Sequence, residues 1–191
     1  MGRQESALTD HAVAAAWGFA EATVFFIVPD VWTSRVALRR PGRALAATLS
    51  ATAGAVLGGA LGHAVASRVD PARTAAWAVR IPAIGSAMVE RVDVEVAESG
   101  YRALLVGPTK GIPYKLYARA AGVQGLPMGA LLVWTIPARM GRFVLVTGAT
   151  GGLAALARRM GLGDERLARA VHTVGWAAFY AWYFRRFSRS G

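Results

Sequence analysis

Eight ionisable side chains interrupt apolar stretches of this chain: Glu21, Asp30 and Arg35 in its first half, and Lys110, Lys115, Arg119, Arg139 and Arg142 in its second. A charged group at the centre of a bilayer costs about 2.5–3.5 kcal/mol on insertion scales, so such groups must pair, line water or meet a charged ligand. Two of the eight are acidic and six are basic, which leaves an excess of four positive charges if all face one cavity. Such a cavity favours an anion, because Arg grips phosphate through two parallel N–H groups and Lys supplies a point charge. Helix N-termini at nearby turns would add donors. Some of the eight can instead snorkel to the interface, Lys115 and Arg119 before the others. Glu21 either binds and releases a proton or is a fixed ion-pair partner for Arg139 or Arg142. The expected substrate-binding set is Glu21, Asp30, Arg35, Lys110, Lys115, Arg139 and Arg142, with no catalytic group, metal or cofactor.

The composition says what kind of scaffold must hold these charges. Of 191 residues, 54% are hydrophobic and only 17% charged, yet the net charge is +11. Mean hydropathy is +0.37, and the apolar share exceeds the about 45–50% of soluble domains. Basic residues gather at the ends of apolar runs, at Arg39, Arg40 and Arg43, at Arg158 and Arg159, and at Arg185, Arg186 and Arg189. Membrane proteins place Arg there, facing cytoplasm and anionic headgroups, whereas a nucleic-acid binder would carry a continuous basic face. With no cysteine, disulfides and thiolate metal sites are excluded. Lysine occurs only at Lys110 and Lys115, the usage of a GC-rich bacterial genome. The apolar run after the polar start contains Glu21 and no small-residue cleavage site, so it reads as mature structure.

A single all-α membrane domain is expected, in three parts: 11–69, 70–100 and 101–187. Ala12 to Val28 forms an entering helix, with a turn at Val28–Asp30 and a second short helix before Arg39, since proline ends a helix and Asp favours a turn or cap. That hairpin enters and leaves the membrane on one side. Ala44 to Val69 is the clearest span, and Gly54, Gly58 and Gly62 give it a face for close helix packing. His63, beside that face, reads as a hydrogen-bonded packing residue. From Asp70 to Gly100, Trp77, Ile81, Ile84 and Met88 recur at helical spacing among charges, an interfacial amphipathic helix running into a polar connector. Tyr101 to Gly125 carries two prolines, glycines and both lysines, which predicts a second hairpin turning near Pro108–Pro113. A long span over Leu126–Leu156, interrupted at Pro137, Arg139 and Arg142, and a last span over Arg169–Phe187 follow a pattern of about three transmembrane helices in all. The final span bears a band of aromatics beside basic residues that put the C-terminus in the cytoplasm. Paired broken segments in matching halves predict an inverted repeat with its binding site near mid-membrane.

One stretch imitates another chemistry. Phe143 to Leu156, FVLVTGATGGLAAL, looks like the first strand and Gly-rich turn of a dinucleotide fold, but Ala154 stands where the third glycine belongs. Too little chain follows to build a parallel sheet, so the stretch reads as a Gly-rich span. Nucleophile-elbow and His-Glu-x-x-His motifs are absent, and His11, His63 and His172 are far apart.

The segment FAEATVFFIVPDVWTSRVALRRPGRALAATLSATAGAVLGGALGHAVA resembles the N-terminal half of the DedA family, also called VTT or SNARE-associated membrane proteins, in its small YqaA-like branch. The segment GPTKGIPYKLYARAAGVQGLPMGALLVWTIPARMGRF is similar to the second half, with Pro-Tyr-Lys at 113–115, Ala-Gly at 121–122 and the arginines at 139 and 142 followed by Phe143. Together they cover roughly residues 17–157. The resemblance implies two opposed re-entrant hairpins and movement of phospholipid or a polyprenyl-phosphate carrier across the bacterial inner membrane, with protons as a possible coupling ion. The family's acidic positions fall on Glu21 and Asp30, and its basic positions on Lys110, Lys115, Arg139 and Arg142. Departures are a single proline before Asp30, His63 where an aromatic is common, and Ile136-Pro137-Ala138 in place of glycine before Arg139. A proton-coupled exporter of small ions or drugs, and a non-transporting membrane scaffold, are the alternatives.

Overall fold

A computed structural model describes residues 2–187. Met1 and residues 188–191, including Arg189 of the C-terminal basic cluster, lie outside the described residues. Nine α-helices are described, with two short 3-10 turns and no strand among the described residues: α1 (Gly2–Thr23), α2 (Asp30–Ala37), α3 (Pro41–Ala66), α4 (Pro71–Ala78), α5 (Ser86–Ser99), α6 (Ala103–Val106), α7 (Tyr114–Val123), α8 (Met128–Arg159) and α9 (Glu165–Phe187).

Proline sets the punctuation. Pro29 precedes α2, Pro41 opens α3, Pro113 precedes α7 and Pro127 precedes α8, positions where its missing N–H would have no helical partner anyway. Both halves therefore run as proline, short helix, proline, long helix. Asp70 caps α4 by accepting from the Arg73 N–H at 3.0 Å. The end of α7 is closed by Gly125 at φ +67, where the Leu126 N–H reaches the Ala121 carbonyl at 2.9 Å and the Gly125 N–H reaches Gly122 at 3.2 Å. This is the left-handed cap that glycine adopts without a Cβ clash, and Gly161 closes α8 in the same way, with Leu162 N–H on Ala157 at 2.9 Å.

The long helix α3 packs against α1, α8 and α7. A Cβ on Gly54 would strike the Ala15 carbonyl, one on Gly58 the Phe19 carbonyl, and one on Gly18 the Ala51 carbonyl, so α1 and α3 touch backbone to backbone. Gly62 belongs to a different face, where an added Cβ would lie 3.9 Å from the Ala118 methyl of α7. His63 is buried with Nε2 at 2.7 Å from the Leu126 carbonyl, the packing role expected of it. Every residue of α7 from Tyr114 to Gly122 is buried. By contrast, α8 buries one stripe spaced by four, Leu131, Thr135, Arg139, Phe143, Thr147 and Gly151, and leaves Val133, Leu145 and Leu153 about two-thirds exposed, at 66%, 71% and 68%. The short helix of each half packs on the long helix of the other, α2 on α8 and α7 on α3.

Two helices, α3 and α8, are long and apolar enough to cross a membrane. The expected third, now α9, has the length at 23 residues, but its polar positions keep it out of that class. Three further expectations are corrected. The first turn occupies residues 24–29 rather than Val28–Asp30, because α1 ends at Thr23. The amphipathic helix with Trp77, Ile81, Ile84 and Met88 on one face is two helices, separated by a turn in which Ala83 takes φ +66. The span over Leu126–Leu156 is not interrupted: α8 runs unbroken through Pro137, Arg139 and Arg142. A proline in a long apolar helix removes one backbone bond without ending the helix when its neighbours hold it.

Candidate functional site

Both chain breaks, 24–29 and 107–113, open onto one cavity of about 1010 Å³, walled further by α8, α9 and the α4–α5 link. Six of the seven expected site residues line it: Glu21, Asp30, Lys110, Lys115, Arg139 and Arg142. Glu21 comes from the last turn of α1 and Asp30 from the first turn of α2. Arg139 and Arg142 come from one side of α8, about one turn apart. The seventh, Arg35, is exposed on the last turn of α2 and is not brought to the cavity.

The acids and arginines pair across the halves. Arg139 donates through Nη2 to Glu21 Oε2, with both side chains buried. Arg142 Nη2 lies 2.9 Å from Asp30 Oδ2. That second pair is close in distance but not aligned as a hydrogen bond, and neither Asp30 oxygen receives a donor. Nor do Arg139 Nε, Arg142 Nε and Arg142 Nη2 find an acceptor. Aromatic faces complete the guanidinium sites: Arg139 lies 5.2 Å from the Tyr114 ring centre and 4.9 Å from Phe143, and Arg142 lies 5.3 Å from Phe143.

The two lysines divide. Lys110 is exposed at the second break. Lys115 is buried and donates to the Phe25 carbonyl at 2.5 Å, tying α7 to the first break. Arg119 is buried too, paired bidentately with Asp93 at 2.8 and 3.0 Å, and it donates to Thr74 Oγ1 and the Pro71 carbonyl. The snorkelling expected of Lys115 and Arg119 is therefore corrected: both find carbonyl or carboxylate partners inside the fold. Arg119 holds the connector rather than the site, as does Tyr117, whose hydroxyl donates to Glu95 at 2.7 Å.

Trp176, Tyr180 and Tyr183 of the α9 aromatic band turn inward, which the sequence does not suggest, while Phe179 and Trp182 stay exposed. The Tyr180 hydroxyl accepts from the Val28 N–H at 2.8 Å, and the Tyr183 hydroxyl donates to the Gly111 carbonyl at 3.1 Å. One helix thus touches both breaks. Trp176 donates to Ser34 Oγ at 3.2 Å, and Ser34 also meets His172 Nε2 at 2.8 Å. Arg186 joins the lining, so the wall carries five basic and two acidic side chains, an excess of three rather than four. Only the mixture of aromatics with terminal arginines in 176–186 marked this face in the sequence, and that pattern equally describes an interfacial anchor.

No protein-family model, no curated protein and no solved structure matches this chain.

Proposed function

We propose that this chain is a multi-pass protein of the bacterial inner membrane, akin to the DedA proteins it resembles, that moves a lipid phosphate, phospholipid or polyprenyl-phosphate carrier, between leaflets. The two chain breaks are its re-entrant hairpins. Backbone outside α-helices is tolerated at membrane depth where protein or a polar cavity covers it; α9 bonds Val28 and Gly111 of the two breaks, and Phe26, Val28 and residues 110–113 line the cavity. The apolar outer faces of α3 and α8 suit a lipid surround.

The observation that carries the reading is the state of Arg139 and Arg142. Each already holds one carboxylate, yet Nε of both and Nη2 of Arg142 have no acceptor. A phosphate has the oxygens to engage Arg142, whose side chain is 29% exposed on the cavity wall, while the sealed Arg139 about one helical turn away adds its positive charge. In the mechanism this supports, the arriving phosphate competes with Asp30 for Arg142, while Glu21 keeps Arg139 oriented. Lys110, exposed at the second break, attracts the anion, and the charge of the anchored Lys115 adds to the positive wall.

Asp30 favours a second reading. A buried carboxylate with no donor on either oxygen suits proton binding, as a proton-coupled exporter of small ions or drugs would need. Reconstitution into liposomes with labelled polyprenyl phosphate and labelled phospholipid separates the two. Flipping that is lost in Arg139→Gln and Arg142→Gln supports lipid-phosphate movement. Proton-gradient-driven efflux without lipid movement supports the exporter. A folded protein silent in both assays is a scaffold and removes both readings.

A further inference from the structure

A second, smaller cavity of about 280 Å³ lies on the other side of Lys115, between the ends of α1, α3, α4 and α7. Its wall is mostly aliphatic and aromatic, with Leu61, Gly62, Val65, Trp77 and Leu116 prominent. Ile81 and Lys115 belong to both cavities, so the two adjoin along that seam. The Lys115 ammonium is anchored on the Phe25 carbonyl at 2.5 Å, and its side chain lines the seam on both sides. At the outer mouth, Val24, Leu61 and Trp77 are 72%, 48% and 40% exposed.

We infer that this groove seats one hydrocarbon chain of the anionic lipid whose phosphate occupies the main cavity. The inference rests on the lipid-phosphate reading above and says where the tail goes. A second phosphate does not fit the groove. Both charges in its wall are already spent: Arg119 uses Nε, Nη1 and Nη2 on Thr74, Asp93 and the Pro71 carbonyl, and Lys115 uses Nζ on the Phe25 carbonyl. What remains is apolar surface, which a hydrocarbon chain covers favourably in proportion to the area removed from water. A lipid held only by its phosphate would have to bend its tails back through the charged wall. The adjoining groove gives one tail a direct exit past Leu61 and Trp77 to the apolar surround.

Two photoreactive phosphatidic acids in nanodiscs test this, one with a diazirine beside the phosphate and one with a diazirine at the end of an acyl chain, each mapped by mass spectrometry. Head-probe adducts are expected on Trp176 or Tyr180, and tail-probe adducts on Leu61, Val65 or Trp77. A tail-labelled phosphatidylcholine should mark the groove far less. Gly62→Leu fills the groove from a position where a Cβ meets only the Ala118 methyl at 3.9 Å. It should cut tail adducts about tenfold, the effect of roughly one side chain of apolar contact, while head adducts persist. Val65→Phe is the second variant, and head-probe labelling reports whether either variant is folded. Head adducts with no headgroup-selective tail adducts in the groove overturn the inference alone. Loss of head adducts in the wild type overturns the lipid-phosphate reading beneath it.

Discussion

Arg142 Nη2 lies 2.9 Å from Asp30 Oδ2, with the Asp30 side chain 1% exposed and the Arg142 side chain 29% exposed. The acid is sealed while its partner faces the cavity. One helical turn earlier, Arg139 and Glu21 are both sealed, at 1% and 5%. The inner pair therefore fixes geometry, and the outer pair is the one a ligand can reach.

The inner pair should behave as a buried unit. Removing one partner leaves an uncompensated charge, which costs about 3–5 kcal/mol in buried pairs. Glu21→Gln and Arg139→Gln are each expected to lower thermal stability strongly in detergent. The double variant should be less damaged than the sum of the two. Additive losses in a double-mutant cycle would mean that the two side chains are not coupled.

The outer pair should control ligand affinity more than stability. With Asp30→Asn, Arg142 loses its competitor, so binding of a phosphate lipid should tighten or hold while its release slows. Transport then falls at saturating lipid although binding does not, a split readable by comparing equilibrium binding with flipping rate. Weaker binding in Asp30→Asn would show that the carboxylate positions the arginine instead of competing for it.

Connector stability should depend on pH through Glu95. Burial pushes its carboxyl upward, but the Tyr117 hydroxyl and the Arg91 and Lys110 charges outweigh that and hold it below the ordinary value of 4.5. A depressed folded-state value stabilises the fold at all pH above the unfolded-state value and loses that contribution as pH falls through the folded-state one. Melting temperature should fall on acidification below the ordinary carboxylate range, and Glu95→Gln should flatten that dependence. An unchanged acid profile in Glu95→Gln would assign the loss to other carboxylates.

Helix α9 should act as the cover of the cavity. Tyr180→Phe and Tyr183→Phe each remove one hydroxyl contact to a chain break, worth about 0.5–1.5 kcal/mol. The chain contains no cysteine, so Val146→Cys on the cavity wall is a clean reporter. Maleimide should modify it faster in the double tyrosine variant. Equal rates would place the opening elsewhere.

Close packing of α1 on α3 should be intolerant of a single methyl. Gly54→Ala forces a carbon into the Ala15 carbonyl, and overpacking costs about 1–3 kcal/mol. Gly148→Ala, mid-helix with nothing within 4 Å of the added carbon, should be neutral or stabilising by up to about 1 kcal/mol. Thermal melts of the two variants side by side give the comparison.

Local chemistry wrote much of this protein into its sequence. Prolines 29, 41, 113 and 127 set the two short-helix, long-helix halves because a missing N–H acts within one turn of chain. Hydropathy marked α3 and α8, and charges in apolar context marked six residues that do share a cavity. Tertiary structure decided the rest. Glu21 and Arg139 are 118 residues apart, and their pairing exists only because the breaks of both halves meet the stripe of α8. Arg35 and Arg139 look alike as arginines in apolar runs, yet one is exposed and the other sealed, because helix rotation against a neighbour sets which way a side chain points. The inward turn of Tyr180 and Tyr183 has the same cause: a Tyr hydroxyl serves equally at a lipid interface or on a buried backbone amide, and only the nearness of Val28 and Gly111 makes the choice.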